Sequence, residues 1–110
     1  MRFIMIDELS PMERGNIESW LKRNLAPGPL PGLFWLELPN DFLEEEQSAH
    51  AGHGPFRFSL ELDRDSLRLE LLIRNSAALH CSCTAYASAR QRHFALETLD
   101  RMLAEEMIRA

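Results

Sequence analysis

The sequence predicts an α+β domain: a two-layer sandwich, with an antiparallel sheet of three to four strands and N- and C-terminal helices packed on one face. Two patterns support this. Residues 56–73 alternate apolar and polar with period two, as strands with one buried face do. On either side, a serine-headed capping signature opens an apolar stripe at helical spacing.

The 110 residues fit one domain, spanning 1–110, large enough to bury a core without staples. A hydrophobic content of 45% with 26% charged residues is that of a globular chain and argues against disorder. Twelve Lys plus Arg against seventeen Asp plus Glu leave a net charge of -5, which disfavours non-specific nucleic-acid or anionic-membrane binding. Lys22 is the lone lysine, so arginine supplies nearly all positive charge. No apolar run approaches the roughly 20 residues of a membrane span. The run from Arg2 to Ile6 ends at Asp7-Glu8, too early for a signal peptide. Two cysteines without such a signal suggest reduced thiols and a cytoplasmic location.

In chain order, residues 2–6 are a candidate edge strand. Ser10 can cap a helix with Pro11 at its first position and Glu13 closing a capping box. Ile17, Trp20, Leu21 and Leu25 supply its stripe, and Gly15 within it costs about 1 kcal/mol relative to alanine. Pro27-Gly28-Pro29-Leu30-Pro31-Gly32 stops the helix and forms a stiff connector. Leu33 to Leu38 reads as a strand closed by Pro39. Asn40 to Ser48 reads as one short acidic helix capped by Asn40 or Asp41, and a loop from His50 to Pro55 follows.

Matching faces across residues 56–73 constrains the hairpin. A two-residue turn at Arg64-Asp65 pairs Leu62 with Leu67, Leu60 with Leu69, Phe58 with Leu71 and Phe56 with Ile73. It also sets Glu61 opposite Arg68 on the outer face. A three-residue loop would put one strand's apolar set in water. Asn75-Ser76 offers a second turn, leading into a strand over 79–86. Ser88 and Gln91 then cap a terminal helix with the stripe Ala95, Leu96, Leu99, Met102 and Leu103.

The segment Leu79-His80-Cys81-Ser82-Cys83-Thr84-Ala85-Tyr86 concentrates the candidate chemistry. As a regular strand it would turn Cys81 and Cys83 inward, opposite Leu71 and Leu69, as small core hydrophobes. Their Cα atoms would stand roughly 6.5–7 Å apart, at or beyond the disulfide limit. The alternative is a metal-binding protein using Cys81/Cys83 with His50/His53, since zinc takes nitrogen and sulfur donors. In that strand His80 points away from both sulfurs, and His93 falls opposite the apolar stripe of its helix. Cys-x-Cys also lacks the specificity of paired Cys-x-x-Cys knuckles. The main expectation is therefore no metal and no cofactor.

Catalysis finds little footing. Glu44-Glu45-Glu46 point in different directions on a helix, and Asp63 and Asp65 belong to a tight turn. No nucleophile elbow or phosphate-cradling glycine loop occurs.

The outer sheet face is the stronger lead. It is expected to present Trp35, Arg57, Arg68, Leu72, Arg74, His80 and Tyr86, rich in the residue types of binding hot spots. The competing expectation is a solvated face of cross-strand ion pairs. A protein partner or a homodimer suits its mixed charge better than nucleic acid does.

The pattern of Phe56 to Leu62, then Leu67 to Ile73, then the amphipathic terminal helix resembles the C-terminal domain of flagellar hook-length control proteins. The resemblance covers residues 56–110 and implies interaction with a secretion export gate. This chain has Asp63-Arg64-Asp65-Ser66 where those proteins have a Leu-Gly turn, and it lacks their long Pro/Gln-rich region.

Overall fold

The alternating block folds into the expected two-residue hairpin. In the computed structural model, which describes residues 1–77 and 81–110, Leu62 pairs with Leu67, Leu60 with Leu69 and Glu61 with Arg68. The Asp63 N–H donates to the Ser66 carbonyl at 2.8 Å and closes the turn. These strands, β4 (Arg57–Leu62) and β5 (Leu67–Glu70), lie at the centre of a five-stranded antiparallel sheet. On one side of β4 come β3 (Leu33–Glu37) and then β2 (Ala26–Pro27). On the far side of β5 comes β1 (Phe3–Ile6), so the N-terminal run is an edge strand.

The connector after the first helix is thus not wholly irregular, because β2 pairs Ala26 with Trp35 and Pro27 with Phe34. Proline suits this edge position, where its missing N–H costs no ladder bond. Gly32, at φ +85°, carries the chain into β3 and accepts a hydrogen bond from the Leu62 N–H through its own carbonyl.

Beyond Leu69 the expected register gives way. Arg57 bridges Arg74, so neither the Phe58–Leu71 nor the Phe56–Ile73 pairing forms as drawn. Two extra residues are accommodated around Leu71. Side-chain parity is kept: Leu69, Leu71 and Ile73 are all buried. Here the chain enters β6 (Leu72–Ile73), which pairs with β7 (Ala85–Tyr86) in a two-stranded ribbon.

Helices α1 (Pro11–Asn24) and α3 (Ala89–Glu105) both carry the expected capping boxes, Ser10 with Glu13 and Ser88 with Gln91. Ile17, Trp20 and Leu21 from α1, and Ala95, Leu99 and Met102 from α3, join Phe34, Phe58, Leu60 and Leu69 in one core. Burying each large apolar side chain contributes about 1.5–3 kcal/mol. Leu96, expected in the α3 stripe, is instead exposed, so the buried arc is narrower than its hydropathy suggests. Trp20 donates from Nε1 to Glu105 at 2.8 Å and ties the helices together. Arg14 donates to the Asp63 carbonyl at 2.9 Å and the Leu9 N–H to that of Asp65, which anchors the hairpin turn.

Residues 40–48 do not form one helix. A 3-10 turn at Asn40–Phe42 is followed by extended Leu43 and the short helix α2 (Glu45–Ser48). The Phe42 ring meets that of Phe94 at a tilt, centroids 5.0 Å apart, and with Leu43 it packs on the core; docking these two side chains breaks the helical run. The cap of α2 is Glu44, in a box with Gln47, rather than Asn40 or Asp41.

Two substitutions test this account. An added Cβ at Gly15 meets nothing within 4 Å, so Gly15→Ala should stabilise the fold by about 0.5–1 kcal/mol in urea denaturation. At the end of α3, Ile108 N–H donates to Leu103 and Met107 N–H to Ala104, a Schellman closure that sets Met107 at φ +53°. Met107 is exposed, so Met107→Gly should gain about 1 kcal/mol by relieving the left-handed strain.

Candidate functional site

Side chains on the helix-free face of the sheet come from alternate positions of four strands. Trp35 and Ser59 are direct cross-strand partners, as are Glu61 and Arg68, Met5 and Arg68, and Phe3 and Glu70. Arg57 lays its guanidinium 4.1 Å over the Trp35 ring. Arg68 reaches Glu61 at 3.0 Å and Asp63 at 3.7 Å, with Phe3 beneath it at 5.4 Å. Arg74 meets Glu70 at 2.8 Å. Partly exposed pairs of this kind are worth only about 0–1 kcal/mol each, so they order the surface more than they stabilise the fold. Between these rows lies a concavity of about 360 Å³, with Met1, Phe3, Leu33 and Trp35 as its apolar lining.

The structure therefore brings Trp35, Arg57, Arg68 and Arg74 onto one surface. Leu72 and Tyr86 face each other on the β6–β7 ribbon, and Tyr86 joins the sheet rim through Arg2, whose guanidinium is 4.0 Å from its ring. His80 lies outside the described residues. Phe3 and Met1 were not anticipated, since their contribution depends on β1 joining the sheet. The short apolar run Phe3-Ile4-Met5-Ile6 was the available signal.

The Cys-x-Cys segment departs most from expectation. Cys81 and Cys83 do not face Leu71 and Leu69 from a long strand. Leu69 already pairs with Ile4 of β1 on that edge, and Leu71 donates its N–H to the Arg2 carbonyl. Only the stretch beyond is free for β7, where Ala87 N–H donates to the Leu71 carbonyl. The cysteines fall instead in a turn closed by Thr84 N–H to the Cys81 carbonyl at 2.9 Å. The turn sets the sulfurs beside the His50–Pro55 loop, yet Cys83 still joins the hydrophobic core as expected and Cys81 packs against it. Cys83 is fully buried and Cys81 half-buried. Burial, followed by the adjoining Cys81 thiol, pushes the Cys83 thiol up to about 11. His93, as its helical phase implied, is exposed and paired with Glu97.

Two buried amides hold this region. Gln47 donates from Nε2 to the Cys83 carbonyl at 3.3 Å, while its Oε1 accepts from the Glu44 N–H and from Gln91 Nε2. Gln91 Nε2 also donates to the Phe42 carbonyl at 2.9 Å. Side-chain hydrogen bonds from Ser88 and Arg90 hold the neighbouring Glu44 carboxyl below its ordinary value. Gln91 was legible as a capping residue, but nothing in the sequence marked Gln47 as buried.

No protein-family model, curated protein or solved structure matches this chain. The likeness of residues 56–110 to hook-length control proteins thus stands as one of hydrophobic pattern alone.

Gln47→Ala should destabilise the protein by about 2 kcal/mol, because it strips buried polar groups of their partners. Urea denaturation measures this, and a loss below a few tenths would show that the amide network is dispensable.

Proposed function

We propose that this chain is a small non-catalytic interaction domain that binds through the open face of its sheet, with a second copy of itself as the occupant. The single observation behind this is the concavity bordered by Trp35, Phe3, Arg68 and Glu70, where aromatic and aliphatic surface sits among charges of both signs. Aromatic residues and arginine anchor interfaces when they are buried together. A face carrying Arg57, Arg68 and Arg74 beside Glu61 and Glu70 is self-complementary. Under two-fold symmetry the Arg68–Glu61 and Arg74–Glu70 pairs of the two copies can merge into one shared network. Phe3 and Met5 add exposed apolar area along the β1 rim.

Nucleic acid is a poorer occupant. Arg68 and Arg74 are already neutralised by Glu61, Asp63 and Glu70, and the net charge of -5 repels phosphate. No helix among the described residues is long and apolar enough to cross a membrane. Both thiols are free, which suits a reducing compartment such as the cytoplasm.

Sedimentation equilibrium across micromolar to millimolar protein tests this reading. Wild type should dimerise, and the double variant Trp35→Ala/Arg68→Ala should weaken self-association by at least about tenfold while its circular dichroism is unchanged. A wild-type monomer at every concentration would rule out the second copy, and an unaffected dimer in the variant would rule out this face.

A further inference from the structure

Away from the open sheet face, His50, Cys81 and Cys83 converge from two tight turns, and His53 borders both sulfurs. The His53 N–H donates to the His50 carbonyl at 2.8 Å, closing the 3-10 turn Ala51–His53. The two imidazoles stack with centroids 5.3 Å apart. Ser76 fixes this turn from outside, donating its N–H to the His53 carbonyl at 3.0 Å. Opposite stands the Cys81–Thr84 turn, held from behind by Gln47.

His53 Nδ1 lies 3.3 Å from Cys81 Sγ and 3.5 Å from Cys83 Sγ. A ring nitrogen of His50 and both sulfurs lie within 4.8 Å of one another. We propose that His50, His53, Cys81 and Cys83 are the ligands of a structural zinc ion, two thiolates and two imidazoles in a closed tetrahedral site. This inference is independent of the sheet-face reading.

Three features favour a metal over four incidental neighbours. With Zn–S near 2.3 Å and Zn–N near 2.0–2.1 Å, a tetrahedron has S···N edges of about 3.5 Å. The two His53–sulfur separations already match that edge. Next, His50 Nδ1 sits 2.9 Å from the Glu46 carbonyl. A carbonyl can only accept, so Nδ1 carries the proton and Nε2 keeps its lone pair. Histidines that bind zinc are oriented by this kind of outer hydrogen bond. Finally, the Cys83 N–H donates to Cys81 Sγ at 3.4 Å, an outer hydrogen bond of the kind that orients a ligand. Binding would release both thiol protons to solvent, and a divalent ion with two thiolates is neutral overall. A neutral centre suits the half-buried position of Cys81, His50 and His53 and the full burial of Cys83. The soft sulfur pair selects zinc over magnesium or calcium, which require oxygen donors.

The ion would join segments some thirty residues apart in the chain and fasten the α2 loop to the β7 turn.

The test uses full-length protein under reductant. Elemental analysis of the purified protein should find about one zinc. After chelation, cobalt(II) should give the intense visible bands of a tetrahedral thiolate site, and zinc should raise the melting temperature. Cys81→Ser should at least halve the thiolate charge-transfer band, since one of two sulfur ligands is lost. His50→Gln and His53→Gln should each weaken zinc binding by at least about tenfold, whereas His93→Gln should leave it unchanged. Folding of each variant is followed by circular dichroism, and the two histidine variants, altered at half-buried positions, keep the test open if a cysteine variant fails to fold. Metal-free protein that takes up no zinc, an octahedral cobalt spectrum, or affinity unaltered in both histidine variants would each overturn the site.

Discussion

Gln47 and Gln91 lie almost wholly buried, each presenting an amide to the other where α2 meets the first turn of α3. Their remaining hydrogen bonds run to the Cys83 carbonyl, the Phe42 carbonyl and the Glu44 N–H. Irregular backbone is tolerated inside a protein only where its polar groups find partners, and these two side chains supply them. The whole flank from Asn40 to His53 is short turns with little regular ladder, so its placement depends on this pair. The orientation of the His50–His53 turn toward the Cys81–Thr84 turn follows from it.

The sheet shows a second constraint, the occupancy of an edge. Beyond β4 the chain from Leu67 to Ile73, strands β5 and β6, offers one free edge, and two segments share it end to end. Residues 3–6 fill the part beside Leu67 to Glu70, and residues 85–86 take the part beside Leu72 and Ile73. The junction is marked by Arg2 over Tyr86. Because β1 takes the longer share, the cysteine segment cannot lie flat against the sheet and turns toward the histidines. One pairing choice thus adds Phe3 and Met5 to the open face and sets the sulfurs at the border of the core beside the histidine turn.

The sequence was legible where a single periodicity ruled. Alternation across residues 56–70 specified faces and register together, because a one-residue slip would have put every leucine in water. The serine capping boxes were equally readable, since their geometry is local. What resisted was whatever a distant partner decided. Cys81-x-Cys83 alternates like a strand, yet Ile4 had claimed the place beside Leu69, and nothing within eight residues says so. The acidic run 40–48 reads as a helix until Phe42 and Leu43 find the core. Of the open face, Trp35, Arg57, Arg68 and Arg74 followed from strand phase alone. Phe3 required knowing where the chain's first strand would dock.

The shift around Leu71 bears on how this chain can change in length. The register before it pairs Leu60 with Leu69, and the bridge after it pairs Arg57 with Arg74, so the second strand carries two residues more than the first. An even surplus keeps every side chain on its own face; an odd one would turn Ile73 outward and bring Arg74 into the core. A step of two keeps the regular pleat, while a single-residue step keeps Ile73 inward only by forming a β-bulge.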